Sequence, residues 1–290
     1  MQPALELLIH WVRAHVSGDR RTWFDTTLTR LQGRDAADRA LYIALGLTPR
    51  RLGKDDLKLD AEDLAAARAV RPGWDPSEWS LDQAARLAFL LTRFDGDEER
   101  FFRLMETLFR TADVGELVCF YRGLPLYPGQ ELYLRRAREG ARTNMKPVFE
   151  AVAHRNPYPR ERFDEAAWNQ MVLKALFIES RLDPIQGLDA RRNPELARML
   201  VDYAHERWAA GRSVSPELWR CVGPYAQGRA LDDLARVLES SDPRERQAAA
   251  LALFGCPDPR ARALLAQIPG LEADITRGTL TWSTLAAGLG

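Results

Sequence analysis

Apolar residues recur along this chain at spacings of three and four, and hardly anywhere in alternation. In LELLIHWVRAHV, Leu5, Leu8, Ile9, Val12 and Val16 fall along one face of a helix. SLDQAARLAFLLTRF offers Leu81, Ala84, Ala85, Ala88, Leu91 and Phe94 to a core in the same way. DEERFFRLMETLFR offers Phe101, Leu104, Met105, Leu108 and Phe109. No hairpin turn stands between two alternating runs, so the pattern carries no sheet. The predicted fold class is all-α.

Helix starts sharpen this picture. A capping side chain followed by proline recurs at Asp75 (DPSEW), Asn193 (NPEL), Ser215 (SPELW), Asp242 (DPRER) and Asp258 (DPRAR). Asp, Asn or Ser accepts a bond from an orphan backbone N–H, and proline suits the next position because it has no N–H to leave unsatisfied. After Asn193 these starts come at intervals of about one helix and a short turn. Alanine-rich segments beginning at Asp35, Leu81, Asp164 and Arg244 lie at offsets close to one or two helical-pair repeats. The stretch LARVLESSDPRERQAAALALFGCPDPRARALL resembles a HEAT-type repeat: helix, Asp-Pro turn, then an Ala/Leu inner helix. Stacked antiparallel helix pairs in a HEAT-like α-α superhelix are expected, with an irregular helical domain as the alternative. Residues 1–290 are expected to form a single all-helical domain. Any subdivision is placed at the proline-rich, charged HRNPYPRER, 154–162, between an N-terminal helical half and a C-terminal half. YRGLPLYPGQ, 121–130, is a second irregular point, and the stretch after Pro269 holds one more weak helix.

Composition narrows the function classes. The 290 residues are 46% hydrophobic and 28% charged, and 41 Lys+Arg balance 41 Asp+Glu. A chain with zero net charge has no overall field to draw nucleic acid or an anionic membrane surface, although an arginine-lined groove would supply a local one. Cys119, Cys221 and Cys256 stand far apart with no CxxC, which predicts reduced, packed thiols rather than a disulfide framework. Glu6, His10 and Arg13 interrupt the apolar rhythm of the N-terminal segment, which therefore reads as an amphipathic helix and not a signal peptide. No run approaches the length of a membrane span. A cytoplasmic location, with no nucleic acid and no direct membrane insertion, is expected.

The chemistry is defined largely by what is missing. The four histidines are His10, His15, His154 and His205. A zinc-peptidase helix needs two imidazoles four apart, but His205-Glu206-Arg207-Trp208-Ala209 places alanine at the second ligand. There is no GxSxG elbow, no GxxxxGK[ST] loop and no GxGxxG turn. Carboxylates at Asp55-Asp56, Asp97-Glu98-Glu99 and Asp232-Asp233 fall in polar turns or at helix starts, where they complement the helix dipole. No catalytic residue, metal ligand or cofactor is expected.

Two helices nevertheless concentrate polar groups. One runs from Pro194 to about Ala210, with Leu196, Leu200, Tyr203 and Arg207 along one face and Val201, Ala204 and Trp208 flanking it. His205 and Glu206 lie about 100° apart around that helix. Arg198, Asp202 and Glu206 follow at four-residue spacing, a ladder of charges. The other helix, FDEAAWNQMVLKALFIES, carries Asn169 and places Lys174 within an apolar run. That lysine either extends its ammonium to the surface or is held by a buried anionic partner. In the second case Asn169 and Lys174 would stand near Asp189, Arg192 or Glu206, on the concave side by which solenoids bind partners.

At these residues the chain resembles the EboA-domain family. The resemblance rests on WNQMVLKALF from Trp168, GLDARRNPELARMLVDYAHERWAAGR from Gly187 and SPELWRCVGPY from Ser215, with a looser likeness in helical character upstream. Between the first two motifs IESRLDPIQ carries Glu179, Arg181 and Asp183, where the family segment is short and hydrophobic. The resemblance implies an accessory protein of the Ebo gene cluster, which is implicated in trafficking secondary-metabolite precursors. It implies partners among the other proteins of that cluster, including a membrane prenyltransferase-like protein and hydrolase- and isomerase-like proteins. It brings no catalytic residues.

The expected function is accordingly a non-catalytic, all-helical accessory protein that binds a metabolite or a partner protein. Expected binding residues are Asn169, Lys174, Asp189, Arg192, Asn193, His205, Glu206 and Arg212. One alternative is a small-molecule enzyme with Lys174, His205 and Glu206 in a pocket between helices. The other is a HEAT-type scaffold whose ligand is a protein of the same pathway.

Overall fold

Residues 2–33 and 37–288 are described by a computed structural model of the chain, and Asp35 and Ala36, where one alanine-rich segment begins, lie outside them. The described residues hold α-helices and short 3-10 turns, with no strand beyond an isolated antiparallel bridge between Asp56 and Ser80. The protein is all-α, as the apolar spacing predicts. Two compact units divide it, Met1–Phe163 and Asp164–Gly290.

The first unit contains α1 (Gln2–His15), α2 (Gly18–Gln32), α3 (Asp38–Leu52), α4 (Ala61–Val70) and α5 (Leu81–Leu91). It continues with α6 (Glu98–Thr111), α7 (Val114–Arg122), α8 (Leu134–Gly140), α9 (Lys146–Ala153) and α10 (Tyr158–Arg162). Helix α5 is its axis, packed by α1, α2, α3 and α7. The sequence pattern shows one apolar stripe here, yet α5 is buried on nearly every side, Asp82 and Arg86 included, while Phe94 beyond its end is only half-buried. The two charges are tolerable because they compensate each other. Asp82 and Arg86 lie 3.5 Å apart, Ser80 Oγ donates to Asp82 at 2.6 Å, and Arg86 Nε donates to the Leu45 carbonyl at 3.1 Å.

Helix α1 buries Ala4, Leu8, Trp11 and Val12, with Val16 buried just past its end and Leu5 and Ile9 at the margin. Trp11 is fixed by its indole N–H, which donates to Asp63 at 2.8 Å, and its ring contacts Trp74 at 5.4 Å. This aromatic chain continues from Trp74 to Trp79 at 5.8 Å and explains a correction. The Asp75-Pro76 pair starts no helix. Trp74 and Trp79 are both drawn into the core, and Leu57 N–H and Leu81 N–H bond to Trp79 and Asp55 carbonyls in the short bridge. Asp75 caps only a turn, accepting from Ser77 N–H at 3.1 Å. The proline-rich 154–162 stretch is packed rather than solvated: Asn156 and Tyr158 are buried, and Asn156 donates to the Tyr121 and Ala151 carbonyls.

The second unit contains α11 (Glu165–Phe177), α12 (Pro194–Ala209), α13 (Trp219–Val222), α14 (Arg229–Leu238), α15 (Pro243–Phe254), α16 (Pro259–Leu265), α17 (Pro269–Thr276) and α18 (Trp282–Ala287). Three of the expected Asx-Pro caps operate here: Asn193, Asp242 and Asp258 accept from Leu196, Arg244 and Arg260 N–H respectively. Ser215 makes no side-chain cap and leads only into a 3-10 turn, Pro216–Leu218, ahead of the short α13. Helix α15 packs against α13, α14, α16, α17 and α18, an arrangement compatible with stacked helix pairs. Its buried Ala248, Ala249, Ala250 and Ala252 admit close neighbours. At Gly223 a Cβ would stand 2.5 Å from the Ala252 carbonyl oxygen, so only glycine permits this approach.

Candidate functional site

The densest polar constellation of the second unit is built on the loop between α11 and α12. Leu182 anchors it in the core, and the loop's backbone is satisfied from below by Glu217, only 3% exposed. The Glu217 carboxylate accepts from Leu182 N–H at 2.9 Å and Asp183 N–H at 2.7 Å. Arg220, three residues on, reaches the same loop. Its Nε and Nη2 donate to the two oxygens of Asp189, each at 2.8 Å, and its Nη1 donates to Asp183 at 2.8 Å. The Arg220 hydrogen bond holds the Asp189 carboxyl below its ordinary range against the opposing effect of burial, and the Arg220 and Arg192 charges assist. Burial by itself would favour loss of the Arg220 proton, but Asp189 and Asp183 together hold it more firmly than usual.

Arg192 and Asn193 close the loop. Arg192 donates to the carbonyls of Asp189 at 2.9 Å and Arg220 at 3.2 Å, and its own carbonyl accepts from Tyr225 at 2.8 Å. Asn193 caps α12 and pairs reciprocally with Asn169 of α11 through amide bonds of 2.8 and 3.1 Å. The neighbouring Arg191 guanidinium lies over the Trp168 ring at 4.6 Å. Four of the expected residues, Asn169, Asp189, Arg192 and Asn193, therefore share one network.

The other four occupy different positions in the unit. His205 Nε2 lies 2.8 Å from Asp233 of α14, with its ring edge-on to Trp208 at 5.3 Å. Trp208 in turn stacks on Trp219 and carries the Arg236 guanidinium at 4.4 Å. Glu206 is exposed on α12, Arg212 is exposed in the turn after it, and Lys174 is half-buried on α11. The ladder on α12 forms from Arg198 to Glu195 at 2.7 Å and to Asp202 at 2.8 Å, without Glu206.

Sequence reasoning missed Glu217, Arg220, Asp183 and Tyr225. Glu217, Arg220 and Tyr225 sit in SPELWRCVGPY, where the acid after Ser-Pro, Glu217, reads as an ordinary first-turn residue complementing a helix dipole. Only its burial reveals that it serves the loop across from it.

The first unit has a separate polar pocket, with a volume of about 50 Å³. Glu78, Trp79, Arg122, His154, Arg155 and Asn156 contribute to its walls. Arg155 Nη2 donates to Glu78 at 2.7 Å, and Arg155 holds a left-handed backbone, φ 49°. Burial disfavours the Glu78 carboxylate, yet the Arg155 hydrogen bond and the charges of Arg155, Arg122 and His154 bring its pKa below the ordinary value.

The thiols are packed. Cys119 and Cys221 are buried and Cys256 is half-buried, all three unbridged. Burial pushes the Cys119 and Cys221 thiols up to about 12. Among the described residues no three His, Cys, Asp or Glu side chains are grouped to hold a metal ion. None of the described helices is long and apolar enough to cross a membrane.

These features define an all-α protein whose polar side chains gather at a braced loop and in a small pocket. The chain belongs to the EboA family: the family model, described as metabolite traffic protein EboA, matches residues 4–223. The family segment thus extends far upstream of the three motifs, from Trp168 to Tyr225, on which the sequence resemblance rests. Comparisons with curated proteins and with solved structures find no match.

Proposed function

We propose that this EboA-family protein is a non-catalytic accessory protein that binds a metabolite or a partner protein in the traffic of secondary-metabolite precursors. It acts in the cytoplasm with other proteins of its gene cluster, including the membrane prenyltransferase-like one. The braced loop of the second unit, with Asn169, Asp189, Arg192 and Asn193, forms the centre of the binding surface. Lys174, His205, Glu206 and Arg212 complete it.

The observation that carries this reading is the engagement of Arg220 with both Asp183 and Asp189. A general acid or base must exchange its proton near the working pH. Asp189 is instead held ionised by Arg220, and burial keeps the Cys119 and Cys221 thiols protonated at neutral pH. Groups fixed this way give a loop a defined shape, which is what a recognition surface needs. The Tyr225, Arg192 and Glu217 bonds add to that rigidity.

Purification from the native host, with analysis of both co-purifying proteins and extracted small molecules, tests the proposal. A partner or metabolite recovered in stoichiometric amount, and chemically unchanged on incubation, is expected. Recovery of neither, or conversion of a recovered compound by the purified protein, overturns it.

A further inference from the structure

We infer that the pocket beside Arg122 is a binding site for the head of a small amino-acid-like metabolite, one bearing both a carboxylate and a protonated amine. The inference rests on the reading of the protein as a metabolite binder and adds, beside the surface proposed on the second unit, a separate site with its own ligand class in the first unit.

Arg122 ends α7 and is half-buried. Its Nη1 is anchored twice, donating to the Glu78 carbonyl and to Gln83 Oε1, both at 2.7 Å. Gln83 is itself positioned by the Ser80 N–H, which donates to the same oxygen at 3.3 Å. Nη1 is the one nitrogen of Arg122 with an acceptor among the described residues, and no carboxylate among them pairs with it. Burial lowers its pKa, the mark of a cation whose lost hydration is incompletely replaced. A guanidinium held rigidly at one nitrogen, with its other donors uncommitted, is suited to receive a carboxylate in the two-point geometry that arginine favours.

The opposite sign is present in the same pocket. Glu78 is kept ionised despite partial burial, and Asp75 and Glu150 add two further carboxylates to the lining. An anion alone would meet these groups as well as the arginines, whereas a molecule with both charges has a partner for each. The floor is firm. Trp79 is 4% exposed, and Asn156 is locked by donating to two carbonyls while accepting from Tyr158 N–H at 3.0 Å. Arg155, which flanks Glu78, is presented from its left-handed backbone between Asn156 and the end of α9. A pocket of about 50 Å³ admits a head group while the remainder of the ligand projects outward.

The test is ligand-observed NMR on the full chain, using a mixture of the common L-amino acids, with propionate and ethylamine as single-charge probes. At least one amino acid should bind, and both single-charge probes should bind more weakly by roughly tenfold or more. Arg122→Gln and Glu78→Gln should each weaken that amino acid by a similar factor while retaining the wild-type circular dichroism spectrum. Glu78→Gln keeps the backbone carbonyl that anchors Arg122, so it probes charge without removing the anchor. Absence of any bound amino acid, propionate binding equal to it, or unchanged binding in both variants overturns the site. Protein from the native host separates this failure from failure of the broader reading. Arg122→Gln that still carries the host metabolite removes the pocket but leaves the binder, whereas wild type carrying neither metabolite nor partner removes both.

Discussion

Arg220 in the second unit and Arg122 in the first are both half-buried guanidinium groups on short helices, and they are employed differently. Arg220 uses three nitrogens on two carboxylates and becomes part of the scaffold. Arg122 uses one nitrogen on two neutral oxygens and keeps its charge available to the pocket. An arginine's role thus follows from what its nitrogens already hold. Removing the first should damage the fold, and removing the second should damage recognition.

The largest effect is expected one step behind Arg220. Glu217→Ala strips two backbone N–H groups of their acceptor, Leu182 N–H in the interior and Asp183 N–H at its edge, and should cost about 2–4 kcal/mol. Urea unfolding of wild type and variant measures it, and a loss below about 1 kcal/mol would show that the loop is not held from below. Next comes glycine packing. Gly223→Ala drives a methyl against the Ala252 backbone and should cost on the order of 2 kcal/mol. Gly123→Ala, adjacent to Arg122, would press on the buried side chains of Leu87 and Tyr127, each 2.5 Å from the new Cβ, and should cost a similar amount in the same assay.

The direct comparison is Arg220→Gln against Arg122→Gln. The first leaves Asp183 and Asp189 without their cation, and after allowance for their partial exposure should lose about 1–2 kcal/mol. The second should stay within about 0.5 kcal/mol of wild type. Equal losses would erase the contrast between the two sites.

Acid titration probes the same pairing. The folded-state pKa of Asp189 lies below its ordinary value of 3.8. Its pairing therefore contributes stability in full above the unfolded pKa, and that contribution is lost as pH falls through the folded one. Melting temperatures from pH 6 to 2 should show Asp189→Asn less stable at pH 6, with the gap closing below about pH 4. A constant gap would mean that the carboxylate's charge is not what Arg220 holds. The smallest effect is chemical: with thiols pushed up to about 12, Cys119 and Cys221 should resist a maleimide until the chain unfolds, leaving Cys256 to react first.

Much of the fold was legible because its causes are local. The 3.6-residue spacing marks the helices, and Asn193, Asp242 and Asp258 announce their starts through a side chain and a proline only one residue apart. Helix α5 was half legible, since its apolar content shows but the burial of Asp82 and Arg86 depends on Ser80 and on Leu45 of another helix. Asp75 misled because two tryptophans overrule its capping signal. Within the braced loop, Asp189, Arg192 and Asn193 stood out as a cluster in one motif. Glu217 and Arg220, which organise that cluster, come from a motif about thirty residues later and reach it only through tertiary packing. The Arg122 pocket was illegible for the same reason, since its walls come from the 75–79 turn, the end of α7 and the turn after α9.

Tyr225, with the helices that follow it, bears on how this family should be cut for study. The family match stops at residue 223, yet Tyr225 bonds the Arg192 carbonyl, Asp233 meets His205, and Arg181 donates to the Ala286 carbonyl at 2.8 Å. The alanine face of α15 covers Gly223 itself. A fragment trimmed to the edge of sequence likeness would lose α15 and bare the surface around Gly223 that it covers. The loop would keep Glu217 and Arg220 but lose its Tyr225 bond, so the stretch of family likeness is shorter than the unit that folds.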